Sequence, residues 1–281
     1  MPDLDALLNR IGLDAPPEPT LEGLQTIHRA YVRAIPYEDL AVQLRAYRPL
    51  DVDELAARVL HGGRGGYCFE LNTVLGWILE QVGFDVRRHQ GVVGVRELLD
   101  PPAPVNHLAL SVHLDEGVWL ADAGLGEGQI DATPLVPGTY GGPLTMGVEH
   151  DPGGGWFLVH HPWGSFEGVR IAAPVVELDA FQPHHRRLAT DPESKFVNTL
   201  VVQRPYRDRI ETLRSRTFSV SGPHADDERR VLHDADDLAT TLDERFGIDP
   251  GALGPAAIAE LWERVEEQHE RWLQTQAAQT R

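Results

Sequence analysis

Cys68 is the only cysteine of the 281 residues, and it is the strongest candidate for a nucleophile. It follows Gly65 and Gly66, which let the backbone turn tightly, and an apolar helical pattern begins at the cysteine. Helix N-termini carry partial positive charge and free N–H groups, so this position favours a thiolate. The arrangement predicts nucleophilic chemistry, although a lone cysteine is more often buried and inert.

A cysteine nucleophile needs a base and a group that orients the base, and His107 and Asp122 are the candidates. Alternation over residues 106–113 places His107 at the start of a strand, and Asp122 follows the apolar strand 118–121. An aspartate so placed can fix the tautomer of a histidine and stabilise its charged form. Position alone leaves ordinary alternatives open. His107 is one of 13 histidines and could lie on the surface or in the core, and Asp122 could simply cap a turn.

The segment after Asp122 contains three glycines, Gly124, Gly126 and Gly128, which allow a backbone to approach a ligand closely. Their spacing does not follow the dinucleotide-binding fingerprint. Adjacent histidines at 160–161 would point to opposite faces of a strand, which makes a poor metal site. We therefore expect a ligand-binding loop and no metal.

Composition excludes several classes of partner and site. There are 25 basic and 43 acidic residues, a net charge of −18, which argues against nucleic acid or an anionic membrane surface. One cysteine permits neither an intrachain disulfide nor a multi-cysteine zinc site, and a free thiol suits a reducing compartment. The N-terminal residues lack a signal-peptide pattern, and the composition is typical of a bacterial protein. We expect a cytoplasmic protein without a membrane partner.

Hydrophobic periodicity divides the chain into a helical part and a strand-rich part. Helices are predicted to begin near residues 4, 20, 51 and 68. The period then changes to that of short strands, which indicates an antiparallel sheet or a small barrel. These strands are predicted at 86–95, 107–114, 118–121, 156–161 and 169–178.

The last third is mixed. Strands are predicted at 196–203 and 216–220, and an amphipathic helix at 255–274. Polar, turn-rich composition predicts loops at 136–154 and 223–227.

Several segments together resemble the arylamine N-acetyltransferases. Residues 64–72, Arg-Gly-Gly-Tyr-Cys-Phe-Glu-Leu-Asn, resemble the cysteine signature of that family. Residues 35–40 resemble its Ile-Pro-Phe-Glu-Asn-Leu, and residues 122–126 resemble its Asp-Val-Gly-Phe-Gly. His107 falls at the position of the family's catalytic histidine. The resemblance extends over about residues 4–275.

The resemblance implies an α+β fold in three parts with a papain-like Cys-His-Asp core. A helical bundle, residues 1–85, would carry the nucleophile. An antiparallel β-barrel, residues 86–190, would carry the histidine and the aspartate. An α/β lid, residues 191–281, would complete the molecule.

The resemblance also implies a ping-pong acyl transfer with acetyl-CoA as cosubstrate and without a metal. Cys68 would accept the acetyl group as a thioester, and an arylamine or arylhydrazine would then take it. His107 would move the protons and Asp122 would orient His107, while Gly124 and Gly126 would bind the CoA thioester.

Two positions depart from the family pattern and are predicted to contact the acceptor. Leu125 replaces a phenylalanine that in the family helps to line the acceptor pocket, and Tyr37 replaces the phenylalanine of the Ile-Pro segment. Glu38 and Arg64 also match family positions, and we expect them to form a structural ion pair.

Two other activities fit the same three residues. Amide synthases that close ansamycin-type macrolactams resemble these acetyltransferases, and they take a polyketide from a carrier protein. A papain-like thiol hydrolase would instead pass the acyl group to water.

Overall fold

The N-terminal part of the chain consists mainly of helices, and local capping explains where they begin. The elements are α1 (Leu4–Arg10), α2 (Leu21–Ala34), β1 (Tyr37–Glu38), α3 (Leu40–Gln43), α4 (Val52–Gly62) and α5 (Cys68–Val82). The side chains of Asp3, Thr20 and Asp51 accept backbone N–H groups at the starts of α1, α2 and α4. Gly83 ends α5 in the left-handed conformation. The four predicted helices are confirmed.

An antiparallel sheet of eight strands follows and curls into a nearly closed barrel. The strands are β2 (Asp85–Gly94), β3 (His107–Leu114), β4 (Gly117–Leu120), β5 (Thr133–Pro134), β6 (Gly138–Tyr140), β7 (Met146–His150), β8 (Gly155–Val159) and β9 (Gly168–Val175). Along the sheet they run in the order β5-β4-β3-β2-β9-β8-β7-β6. Helix α5 packs against β3 and β2, so the cysteine helix lies on the barrel.

The C-terminal part adds a second antiparallel sheet that also includes β1 from the N-terminal part. The elements of this part are α6 (Gln182–Thr190), α7 (Lys195–Asn198), β10 (Val201–Pro205), β11 (Ile210–Arg214), β12 (Thr217–Ser221), β13 (Arg229–Val231), α8 (Ala235–Phe246), α9 (Pro250–Leu253) and α10 (Pro255–Gln279). The strand order of the second sheet is β1-β10-β11-β12-β13, and Tyr37 of β1 lies opposite Gln203 of β10. An apolar cluster that includes Phe218, Phe246 and Leu261 joins this sheet to α8 and α10.

This computed structural model describes residues 1–94, 103–223, 225 and 228–279, and it has the predicted α+β class. Within those residues, none of the helices combines the length and the apolarity that a bilayer-crossing segment requires. The division into domains 1–85, 86–190 and 191–281 stays a prediction.

The loop predicted at 136–154 is wrong, because β6 and β7 lie within it. In β7 only Met146 and Val148 are buried, so the alternating pattern is too short to stand out in the sequence. Of the predicted loop 223–227, residues 224, 226 and 227 lie outside the described residues, as does residue 95 of the first predicted strand.

The strand predicted at 196–203 is wrong in its first half, where the chain forms α7. The Ser194 hydroxyl accepts a hydrogen bond from the Phe196 N–H (3.3 Å), and this cap favours a helical turn over an extended strand. The strand begins only at Val201. Elements β11 and α8 were not predicted.

Replacing Gly65 with Ala should destabilise the turn that leads into α5. A Cβ at this position would lie 2.0 Å from the carbonyl oxygen of Pro36 and 2.9 Å from a methyl group of Ile35. We expect the free energy of unfolding to fall by about 3 kcal/mol, as in overpacked cores. Urea denaturation followed by circular dichroism would measure it.

Gly62→Ala is the matched control for this prediction. Its Cβ would meet only side-chain carbons, with the nearest atom, of Arg64, at 3.5 Å. Gly62 is the last residue of α4, where alanine favours helix. Equal stabilities of the two variants would contradict the predicted clash at Gly65.

Candidate active site

A buried ion pair fixes the start of α5 and therefore the position of Cys68, whose side chain is 3% exposed. Gly66 has φ of +134°, a conformation that residues other than glycine rarely adopt. Glu70 accepts a hydrogen bond from the N–H of Tyr67 (3.2 Å), and Arg58 holds the same carboxylate at 2.9 Å. The turn before α5 and the Arg58–Glu70 ion pair thus fix the backbone that carries the thiol.

His107 lies between the thiol and Asp122, as the sequence predicted. Its Nε2 is 2.6 Å from Oδ2 of Asp122, and both side chains are almost entirely buried. The Cys68 thiol interacts with the imidazole and donates to the carbonyl oxygen of Asn106 (3.4 Å). Gly91 pairs with His107 across β2 and β3, and its missing Cβ leaves room for the ring. The structure therefore brings all three predicted catalytic residues together.

The protonation of this pair follows from its surroundings. Burial alone would lower the pKa of His107, but the carboxylate of Asp122 and the neighbouring Cys68 outweigh burial and raise the pKa to about 10. Burial alone would raise the pKa of Asp122, whereas His107, Asn72 and the N–H of Gly124 hold it below its usual value. At neutral pH the two groups form an imidazolium–carboxylate pair.

Asn72 is a site residue that the sequence reasoning missed. Its Nδ2 donates to Oδ1 of Asp122 and to the carbonyl oxygen of Leu108, both at 2.7 Å, and its Oδ1 accepts the N–H of Ala123 (3.0 Å). The available signal was its place four residues after Cys68, on the same face of α5. One amide thus connects the cysteine helix, β3 and the aspartate.

The glycine-rich loop, residues 124–128, passes directly over Cys68. A Cβ on Gly124 would lie 2.7 Å from the Cα of Cys68, so only glycine fits there without displacing Cys68. Gly126 has φ of +66°, and a Cβ on it would lie 2.4 Å from Oε1 of Gln203 and 3.0 Å from the ring of Tyr37. Gly124 therefore lies beside Cys68, and Gly126 lies beside Tyr37 and Gln203.

The two predicted acceptor-binding residues are both buried. Tyr37 is 9% exposed, and burial together with the neighbouring Cys68 raises the pKa of its hydroxyl well above the usual value. Leu125 is 5% exposed and belongs to the apolar cluster inside the barrel, with Met146 and Leu158. Leu125 is itself part of the glycine-rich loop, and Tyr37 lies beside Gly126 of that loop.

The predicted ion pair between Glu38 and Arg64 is present. Nε of Arg64 is 3.3 Å from Oε1 of Glu38, whose side chain is fully buried. The other carboxylate oxygen accepts the N–H of Leu40 (2.6 Å). The pair ties the approach to Cys68 to the short strand β1.

The predicted arrangement of the adjacent histidines, on opposite faces of a strand, is wrong. His160 and His161 follow the end of β8 and their ring centroids are 3.9 Å apart, so they do not point to opposite faces. In the described part of the chain, no group of three or more His, Cys, Asp or Glu side chains has an arrangement that could hold a metal ion.

Comparisons with known proteins identify the family of this chain. The model of a family described as N-acetyltransferase matches residues 20–139 and 171–252. The arylamine N-acetyltransferase of Mycolicibacterium smegmatis is 33% identical over 280 residues, covering 92% of this chain and 98% of that protein. The corresponding protein of Mycobacterium tuberculosis is 30% identical over 276 residues, covering 94% of this chain and 95% of its own length.

Solved structures give the same result. The arylamine N-acetyltransferase of Mycobacterium marinum in complex with CoA superimposes with a TM-score of 0.82 at 26% identity, covering 94% of this chain and 99% of that chain. The arylamine N-acetyltransferase of Mycobacterium abscessus superimposes with a TM-score of 0.83 at 28% identity, covering 94% of this chain and 95% of that chain. The chain therefore belongs to the arylamine N-acetyltransferase family of acetyl-CoA-dependent acyltransferases.

Proposed function

We propose that this chain transfers an acetyl group from acetyl-CoA, through a thioester on Cys68, to the nitrogen of a small arylamine or arylhydrazine. The observation that carries the proposal is the line of three side chains in which Cys68 adjoins His107 and His107 bonds Asp122 at 2.6 Å. Related proteins named arylamine N-acetyltransferase, and a relative solved with CoA, support the two substrates. A cytoplasmic location suits the free thiol.

In the first half-reaction the sulfur of Cys68 attacks the thioester carbonyl of acetyl-CoA. His107 holds the proton that the thiol gives up. The bond between the carbonyl carbon and the sulfur of CoA then breaks, and His107 returns the proton to the departing CoA thiolate. The backbone N–H of Cys68, at the helix start, is the candidate donor to the transient oxyanion.

In the second half-reaction the amine nitrogen attacks the acetyl group on Cys68. His107 accepts the proton from nitrogen, the carbon–sulfur bond breaks, and the proton passes to the cysteine sulfur. Asp122 keeps the imidazole in the orientation that serves both steps.

The surrounding residues divide between the two substrates. Gly124 and Gly126 present backbone without side chains beside Cys68, and we assign them to the acetyl-CoA thioester. Leu125 of the same loop and Tyr37 beside it supply an aliphatic and an aromatic side chain, and we assign them to the aromatic acceptor.

Incubation with acetyl-CoA and no acceptor should add one acetyl group to the protein, because the thioester persists until an amine arrives. Intact mass spectrometry and free-thiol assay of released CoA would measure both products. In Cys68→Ala, which removes only the sulfur of a buried side chain, neither product should form.

Other outcomes of this experiment identify the other activities. Continuous CoA release by the wild type without a persistent adduct would indicate a thiol hydrolase. Neither adduct nor CoA release, with a thiol that still reacts with alkylating agents, would contradict acetyl-CoA as donor and favour a carrier-bound acyl group.

Asp122→Asn should remove stability that depends on pH. In the folded wild type the pKa of His107 is about 10, against about 6.5 for a free histidine. The protonated ring therefore stabilises the fold fully below pH ~6.5, and this contribution is lost as the pH rises through 10. The pKa of Asp122 is lowered in the folded protein, so its carboxylate contributes stability only above the pKa of an unfolded aspartate, about 3.9.

The deficit of Asp122→Asn relative to wild type should thus be about 3 kcal/mol at pH 6 and clearly smaller at pH 10. Urea denaturation at the two pH values would measure it. Asp115→Asn, in an exposed turn, controls for loss of charge. A deficit equal at both pH values would contradict the imidazolium–carboxylate pair.

Leu125→Phe should change the choice of acceptor more than the acetylation of Cys68. A pocket group of this size alters relative kcat/KM among arylamines by ~10-fold. Steady-state rates with a panel of anilines and hydrazines, beside single-turnover acetylation, would measure both effects. Leu135→Phe, in the same apolar cluster, is the control for overpacking. An unchanged acceptor profile would remove Leu125 from the pocket.

A further inference from the structure

Glu127 is a buried carboxylate in the glycine-rich loop, and the mechanism above gives it no part. The residue is 4% exposed, and several hydrogen-bond donors surround its carboxylate. Ser165 donates its N–H to Oε2 and its hydroxyl to Oε1, both at 2.6 Å, and Gln203 donates Nε2–H to Oε1 at 2.6 Å. His160 lies 3.6 Å from Oε2. Burial opposes the charge, but these donors hold the pKa of Glu127 at about 2.

The partners of Glu127 belong to different parts of the fold. Glu127 lies between β4 and β5, whereas His160 and Ser165 lie in the turn between β8 and β9 of the same barrel. Gln203 belongs to β10 of the second sheet, where it pairs with Tyr37. The carboxylate therefore ties the glycine-rich loop both to a second barrel turn and to the other sheet.

The same loop is held at its other end by the catalytic residues. Gly124 donates its N–H to Asp122 (2.9 Å) and contacts Cys68, and Gly126 contacts Tyr37. The chain from Gly124 to Glu127 thus spans from the nucleophile to the second sheet. Its glycines leave the backbone free to move, so its position depends on what fixes the two ends.

We propose that Glu127 is a positioning residue that holds the glycine-rich loop in the place where the acyl donor binds. The inference rests on the proposed function, because it takes Cys68 and this loop as the donor site. Without the carboxylate, Ser165 and Gln203 lose their hydrogen bonds to the loop, and the loop occupies the competent position for only part of the time. If only a fraction f of the molecules has the loop in the competent position, the apparent dissociation constant of the donor rises by a factor of 1/f, while the rate at saturation is retained.

The test is single-turnover acetylation of Cys68 at increasing acetyl-CoA, with wild type, Glu127→Gln and Glu127→Ala. We expect the half-saturating concentration to rise about 10-fold in Glu127→Ala and about 3-fold in Glu127→Gln, with maximal rates within about 2-fold of wild type. Alkylation of Cys68 by iodoacetamide counts the folded, competent sites in each sample. Glu116→Ala, in an exposed turn, should match the wild type.

A double exchange tests whether the contact itself is responsible. Gln203→Glu places two carboxylates together and should raise the half-saturating concentration at least 10-fold. Glu127→Gln combined with Gln203→Glu restores one donor and one acceptor across the same contact. We expect the double variant to return to within about 3-fold of wild type.

The possible outcomes separate the two proposals. A merely structural role would lower the number of alkylatable sites and leave the half-saturating concentration of the remainder unchanged, which would overturn the role of Glu127. Absence of rescue in the double variant would overturn the direct contact. A wild type that is not acetylated at all would overturn the proposed function and this inference with it. If Glu127→Ala does not fold, the Glu127→Gln variant and the double exchange decide.

Discussion

The short bond between His107 and Asp122 is the interaction on which the rest of the site depends. Removing two charged groups from water costs several kcal/mol each, and their attraction offsets this cost only when the geometry is good and the remaining polar atoms are satisfied. Here Asn72 and the N–H of Gly124 donate hydrogen bonds to Oδ1, the other oxygen of the Asp122 carboxylate. The pair can therefore exist only where α5, β3 and the glycine-rich loop meet.

The same constraint also links the position of Cys68 to that of Asp122. Asn72 lies one helical turn after Cys68, so the helix that presents the thiol also presents the amide that orients Asp122. Any rotation of α5 would move both groups together. The absent Cβ of Gly124 lets the loop close on the cysteine from the other side. The position of the sulfur relative to the imidazole is thus set by the backbone of α5 on one side and of Gly124 on the other, and a proton transfer requires such positioning.

Local chemistry explains which parts were predictable from sequence. The helices begin at capping residues such as Thr20 and Asp51, whose effect is contained within a few neighbouring residues. The family resemblance, rather than periodicity, selected His107 from 13 histidines. By contrast, the pairing of Tyr37 with Gln203 joins residues far apart in the chain, and no local pattern encodes it. The same holds for Asn72, whose partners lie on other elements.

Buried charges near the site are better understood as determinants of geometry than as sources of stability. Arg58 fixes the start of the cysteine helix through Glu70, and Arg64 fixes β1 through Glu38. Buried pairs of this kind often contribute little net stability compared with apolar residues of equal volume, yet each admits only one arrangement of its partners. In this chain each of these pairs lies where two segments meet beside Cys68. Apolar packing supplies the free energy of folding, and the buried ion pairs determine which segments meet at the thiol.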